Sequence, residues 1–361
     1  MKRTMGMLLL LTSWLAACSP SAPQTTTTPA APSPPLPTAG DRVLTVMGHD
    51  SFVVSESVVE AFEAEYNVDV RFLQAGDTGT ALNKAILARG NPLADVFYGV
   101  DNTFLTRALE EDIFLPYDSP ALQAIPDRFQ LDPQHRALPV DYGDVCLNFD
   151  KAYFEAEDLA PPANLEALLE PAYADLLVVE NPATSSPGLA FLLATIANFG
   201  EEGYLSYWQA LVDNGVLVVN DWDSAYYSEF TLHGGGRPLV VSYGSSPPAE
   251  VLFAEETPEV APTGVITADE SCFRQIEFVG ILNGTENEAL AQLWVDFMLS
   301  TTFQEDMPLN MFVFPVLPEA GLPPVFTEHY VIPETTAELE PDTISQNRQA
   351  WIEAWTETVL R

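Results

Sequence analysis

Residues 43–101, VLTVMGHDSFVVSESVVEAFEAEYNVDVRFLQAGDTGTALNKAILARGNPLADVFYGVD, decide the architecture. Residues 43–47 form a short apolar run and predict a strand. After HDSF, Val58, Val59, Phe62 and Tyr66 recur at helical spacing, so a helix is expected over about 55–66, opened by Ser55 or by the capping-box pair Ser57 and Glu60. Residues 68–73 read as the next strand, 80–88 as a helix and 94–100 as a strand again. Strands alternating with helices across short loops specify an α/β lobe.

A second α/β section begins near Tyr142. Residues 176–179, 216–219 and 239–243 are apolar strand candidates, 189–199 a helix after the TSSPG turn, and 274–282 a strand returning to the first lobe. Residues 287–304 read as one helix whose Leu290, Leu293, Trp294, Phe297 and Met298 form a core stripe. A terminal helix over 346–359 presents Trp351, Trp355 and Val359. These sections divide the chain into lobe 1, residues 41–142 plus 276–361, and lobe 2, residues 143–275. The terminal helix is free to pack on either lobe.

The amino end reads as a processing signal. Lys2 and Arg3 precede an apolar run over 7–15 that is short for a membrane span, and Leu15-Ala16-Ala17-Cys18 sets small residues before a cysteine. This is the pattern of a lipoprotein cleavage site, so residues 1–17 are expected to be removed and Cys18 to carry lipid. Residues 18–40 then form the anchor and a Pro/Thr-rich tether without charge. An extracytoplasmic, membrane-anchored location follows, at the cell surface or in the periplasm.

With 52 acidic against 14 basic residues, the formal charge is −38, and losing Lys2 and Arg3 makes it −40. Such a field repels nucleic acid and attracts cationic solutes, although it also serves solubility. Cys146 and Cys272 remain after Cys18 is assigned. An oxidising compartment permits a disulfide between them, while two buried thiols are the other reading.

In an α/β lobe, ligands meet the carboxyl ends of strands. The turns there are polar or aromatic: His49-Asp50-Ser51, Asp77-Thr78-Gly79-Thr80, Gly99-Val100-Asp101-Asn102, Asp141-Tyr142-Gly143, Thr184-Ser185-Ser186-Pro187-Gly188 and Tyr243-Gly244-Ser245-Ser246. Each is also an ordinary turn composition. Ser185 and Ser186, with Ser245 and Ser246, offer hydroxyls beside helix starts that suit an anionic or hydroxyl end. Tyr243, Trp222, Tyr226 and Phe312 offer faces to a flat cation, with Asp77 or Asp141 to neutralise it. No HExxH, GxSxG or GxxxxGK pattern occurs, so the sequence supplies no catalytic motif and no metal or cofactor is assigned.

The chain resembles the thiamine-binding proteins of ABC importers, within a wider class that includes ferric-ion and polyamine binders. LTVMGHDSF resembles the opening strand and YDSF turn of that family, with His49 in the tyrosine's place. The stretch GDTGTALNKAILARGNPLADVFYGVDNTFL, VDYGDVCLNFD, NPATSSPGLAFLLATIANFG, DWDSAYYSEF, VVSYGSSPPAE and RQAWIEAWTETVLR follow in the family's order. The resemblance implies a class II periplasmic-binding-protein-like fold, with mixed central sheets flanked by helices and joined by crossover strands. It implies a monomer that closes on thiamine or a thiamine phosphate without altering it, served by a membrane permease and a cytoplasmic ATPase. By the same resemblance Tyr243 stacks on the ligand with Trp222 nearby, Asp77 meets the pyrimidine side, and Ser185 with Ser245 or Ser246 approaches the hydroxyethyl or phosphate end. Two departures matter: Phe312 stands where the family has tryptophan, and a WGPG insertion after YDSF is absent, which favours free thiamine over its diphosphate. Iron(III) or another cationic solute is the alternative ligand, with Tyr142, Tyr226 and Tyr227 as oxygen donors, and a secreted hydrolase is a third reading. The hinge is expected near residues 141–148 and 275–280.

Overall fold

The computed structural model describes residues 42–268 and 270–361, so the expectations for the signal segment, Cys18 and the tether lie outside the described residues. Eleven strands are found among the described residues: β1 Val43–Gly48, β2 Asp69–Gln74, β3 Val96–Asp101, β4 Phe114–Leu115, β5 Leu138–Asp150, β6 Leu177–Glu180, β7 Leu217–Val219, β8 Leu239–Tyr243, β9 Thr263–Ile266, β10 Phe273–Leu282 and β11 Phe314–Pro315. They form a continuous order β2-β1-β3-β10-β5-β8-β6-β7, with β4, β9 and β11 added at the centre.

At one end β1 runs parallel to β2 and β3, and at the other β6 runs parallel to β7 and β8. Between them the long strands β5 and β10 pair antiparallel with each other and with the flanking ends. Two parallel α/β lobes are thus joined through a pair of crossing strands. The inner parallel strands β3 and β6 are buried along their length, as with Val96, Phe97, Tyr98 and Val100 of β3, whereas the edge strands β2 and β7 are partly exposed.

Helix packing explains the apolar stripes. Phe62 of the Glu56–Tyr66 helix meets Trp294 of the Glu288–Met298 helix edge-on at 4.8 Å. Trp208 and Trp355, both fully buried, meet at 5.4 Å and attach the terminal Pro341–Val359 helix to the long Ser186–Asp213 helix. Loss of either ring would cost about 3–5 kcal/mol.

Several boundaries differ from the sequence expectations for local reasons. The helix expected over 80–88 spans Thr78–Leu87, because the Asp77 carboxylate caps it by accepting from the Thr78 amide at 2.7 Å. The helix expected over 189–199 starts at Ser186 and is interrupted at Gly200, whose φ of 68° and ψ of 169° are open to glycine, before a second segment runs to Asp213. The 287–304 stripe breaks into Glu288–Met298 and Thr301–Gln304, with Ser300 extended between them. The terminal helix starts at Pro341, ahead of the expected 346, because proline suits a first turn. Ser55, and not Ser57, precedes the first helix; its hydroxyl accepts from the Asn310 amide group instead of capping.

The Sγ atoms of Cys146 and Cys272 are bonded, tying β5 to the residue that precedes β10. Among the described residues no helix is long and apolar enough to cross a membrane.

Candidate functional site

The carboxyl ends of the parallel strands from both lobes converge on a cavity of about 650 Å³. His49 follows β1, Asp77 lies just beyond β2, Ser186 opens the helix after β6, and Tyr243 ends β8. Glu277 comes from the middle of crossing strand β10. This is where the polarity of an α/β sheet directs free backbone groups and side chains toward a ligand.

One wall is aromatic. The Trp222 ring stacks on Tyr226 at 5.0 Å and lies 6.4 Å from Tyr243, and its indole N–H donates to the Ser242 hydroxyl at 3.1 Å. Tyr226 sits in a π-helical turn, Ser224–Glu229, and donates its hydroxyl to Glu250 at 2.8 Å; His233 Nε2 lies 3.1 Å from the same oxygen. Tyr243 donates to Gln275 Oε1 at 3.0 Å, and its ring passes over Gly143. Facing the cavity from the other lobe, Phe312 has a φ of 54° and meets Phe253 edge-on at 5.4 Å. An aromatic residue in that left-handed region is strained by about 1–3 kcal/mol, so surrounding contacts must hold it there.

The polar wall is built on β1, β3, β5 and β10. Asp141 and Glu277 are cross-strand partners, and Tyr98 donates its hydroxyl toward both, at 2.7 Å and 3.1 Å. The Tyr98 hydroxyl thus bridges two carboxyl groups held side by side on paired strands, an arrangement that disfavours charge on both at once. Burial pushes Asp141 well above the usual carboxylate range, and burial with the neighbouring Asp101 charge pushes Glu277 up to about 8. His49 Nε2 stands 3.4 Å from Glu277 with no hydrogen-bond partner, and burial lowers its affinity for a proton. Its ring rests against β3 because Gly99 is there: a Cβ would come within 2.5 Å of it.

Hydrogen bonds bridge the lobes beside the cavity. The Gly79 amide donates to Thr184 O at 3.1 Å, the Trp222 amide to Asp77 Oδ2 at 3.2 Å, and the Ser51 hydroxyl to Asp223 at 3.1 Å. Burial raises Asp77, with Ser185 and the Thr78 amide opposing that shift.

Of the residues singled out from sequence, Asp77, Trp222, Tyr226, Tyr243, Ser186, Ser245, Ser246 and Phe312 share this cavity. Tyr227, and His49, Ser51 and Thr78 of the quoted turns, line it as well, while five others are placed elsewhere. Asp141 is buried behind Glu277, and Ser185 is buried beside Asp77. Asp101 is also buried; its carboxylate accepts from Thr103 and Gln275, and burial pushes it up to about 6. Tyr142 points away from its neighbour Asp141, stacked between Phe129 and Phe314 beneath Arg274, because alternate residues of a strand face opposite sides. It therefore packs apart from Tyr226 and Tyr227. Asp50 accepts from the Gly76 amide in an adjoining recess.

Sequence reading left Glu277, Asp223, Glu250 and His233 out of the site. A glutamate inside the otherwise apolar FRQIEFVGIL run was the available signal for the first; the rest depend on tertiary convergence. The described residues lining the cavity include Asp77, Asp223, Glu250 and Glu277, with neither lysine nor arginine. Among the described residues no group of three or more His, Cys, Asp or Glu is placed to hold a metal ion.

A family model described as bacterial extracellular solute-binding protein matches residues 91–347. The thiamine-binding periplasmic protein of Escherichia coli strain K12 is 30% identical over 330 residues, covering 90% of this chain and 96% of that protein. The protein of the same description from Salmonella typhimurium is 29% identical over 331 residues, covering 90% and 96%. A solved periplasmic thiamin binding protein superposes with a TM-score of 0.79 at 28% identity, covering 91% of this chain and 99% of that one. The two lobes and crossing strands are accordingly those of the class II periplasmic-binding-protein fold.

Proposed function

Because this chain belongs to the bacterial extracellular solute-binding protein family and is closely related to thiamine-binding periplasmic proteins, we propose that its cavity captures thiamine. The family is non-catalytic and extracytoplasmic, and its members serve transport with a membrane permease and ATPase. The reading proposed for this chain is delivery of thiamine to such an importer, from a position held at the membrane by lipid on Cys18.

The observation that carries the ligand assignment is the cavity wall: aromatic faces from Trp222, Tyr243 and Phe312 together with four acidic side chains and, among the described residues, neither lysine nor arginine. Thiamine is a flat cation with an aminopyrimidine, so ring electrostatics and carboxylates favour it together. A phosphate ester would bring anionic charge into the same acidic wall. The unphosphorylated form is therefore the proposed ligand.

Calorimetric titration with thiamine, its monophosphate and its diphosphate tests this, with iron(III) as a parallel challenge. Saturable one-to-one binding is expected, strongest for thiamine, and weakened at least about tenfold by Tyr243→Ala, since a desolvated cation–π contact is worth about 2 kcal/mol. Binding of iron(III) without any thiamine form would replace the proposal with the metal reading.

A further inference from the structure

Among the described residues lining the cavity, Glu277 is the acidic side chain that comes from a crossing strand. Its surroundings differ from those of the other acids. Asp223 bonds the Ser51 hydroxyl and Glu250 bonds Tyr226 and lies beside His233, both toward the aromatic side. Glu277 instead is bridged to Asp141 through the Tyr98 hydroxyl behind it, while the buried His49 Nε2 stands 3.4 Å away on its other oxygen.

Among the described residues, titratable groups approach it from several elements. His49 comes from the end of β1, Tyr98 and Asp101 from β3, Asp141 from β5, Asp77 from the cap of the Thr78–Leu87 helix, and Tyr243 from β8. None is a lysine or arginine. Two carboxyl groups on paired strands, buried and bridged by one tyrosine hydroxyl with no lysine or arginine among the described residues facing them, retain a proton on the pair. A cation placed against Glu277 supplies the missing positive charge and removes the reason to keep it.

We propose that Glu277 is the charge-sensing carboxyl of this cavity, exchanging a proton of the Asp141–Glu277 pair for the positive charge of the ligand, so that capture releases a proton. The step is an acid dissociation: a carboxyl O–H bond breaks, its electron pair stays as carboxylate, and the proton passes to the buffer. The inference rests on the thiamine reading above and adds a specificity-determining residue and a pH dependence to it. A ligand of the same shape without positive charge would leave the pair protonated and lose this selection.

Buffer-matched calorimetry reads the step directly. Thiamine is titrated into the protein at pH 6.0 to 7.5 in buffers of different ionisation enthalpy; its thiazolium charge is fixed across that range. Release approaching one proton per ligand is expected, with affinity rising up to about tenfold per pH unit. Glu277→Gln should bind with a pH-independent affinity and release no proton, whereas Glu250→Gln should keep the release. Saturable binding without proton release in the unmodified protein would overturn this inference and leave the thiamine reading standing. Release that persists in Glu277→Gln would assign the proton to another group and also overturn it. Absence of thiamine binding at every pH would overturn both.

Discussion

Buried acids set the behaviour of single residues. Asp101 is raised from its ordinary 3.8 to about 6, and Glu277 from 4.5 to about 8, in both cases chiefly because burial penalises the charged form. A carboxyl raised in the folded state contributes stability fully below its unfolded value and loses it as pH rises through its folded value. Thermal unfolding should therefore show a midpoint that falls between pH 5 and pH 8; a midpoint that rises over that window would contradict the assignment of these groups. Glu180 belongs to the same class, fully buried and raised well above the carboxylate range by burial and then by Asp77 and Asp221. At this scale the sequence was only partly readable. Asp77 announces itself by its turn, but its double use, capping one helix and accepting the Trp222 amide, depends on a neighbour 145 positions away. Asp141 and Tyr142 are adjacent in sequence, and only strand alternation separates a buried carboxyl from an aromatic stack outside the cavity.

Among the elements, the strands and helices read from periodicity are present with shifted ends, whereas β5, β9 and the Ser246–Phe253 helix were not read from it. The break after Phe199 was visible because the apolar run stops there, yet the continuation past Gly200 was hidden by a polar GEEG segment that still turns helically. Gly200 occupies a backbone region that other residues enter at a cost of about 1–3 kcal/mol, and no atom lies within 4 Å of an added Cβ. Gly200→Ala should therefore lower stability by that amount in denaturant titration while leaving ligand affinity unchanged. The crossing strands carry a second device. Cys146 and Cys272 are 126 positions apart, so their bond removes much chain entropy from the unfolded state. Double replacement by serine should cost about 2–5 kcal/mol, read as a lower denaturation midpoint that reductant no longer shifts. Spacing alone favoured two buried thiols over the disulfide that the structure has, because the pairing arises only when β5 and β10 lie side by side.

For the whole molecule, the chain builds two lobes whose strand ends face one another, then closes part of the gap with backbone contacts. Gly79 is essential to that approach: a Cβ would lie 2.9 Å from the carbonyls of both Ala183 and Thr184. The alternation of strands and helices made the lobes legible and the 274–282 run marked the return between them, whereas β5 was signalled only by the resemblance of VDYGDVCLNFD to a family crossover. The chemistry of the cavity was less so, since its acidic census required knowing which of 52 carboxylates converge. A formal charge of −38 also means self-repulsion across the surface, which added salt screens.

Equilibrium dialysis of the protein against thiamine, followed by release and chemical identification of what was retained, tests the central claim most directly. One equivalent of unaltered thiamine per chain is the predicted result; retention of none, or recovery of a cleaved product, would contradict it.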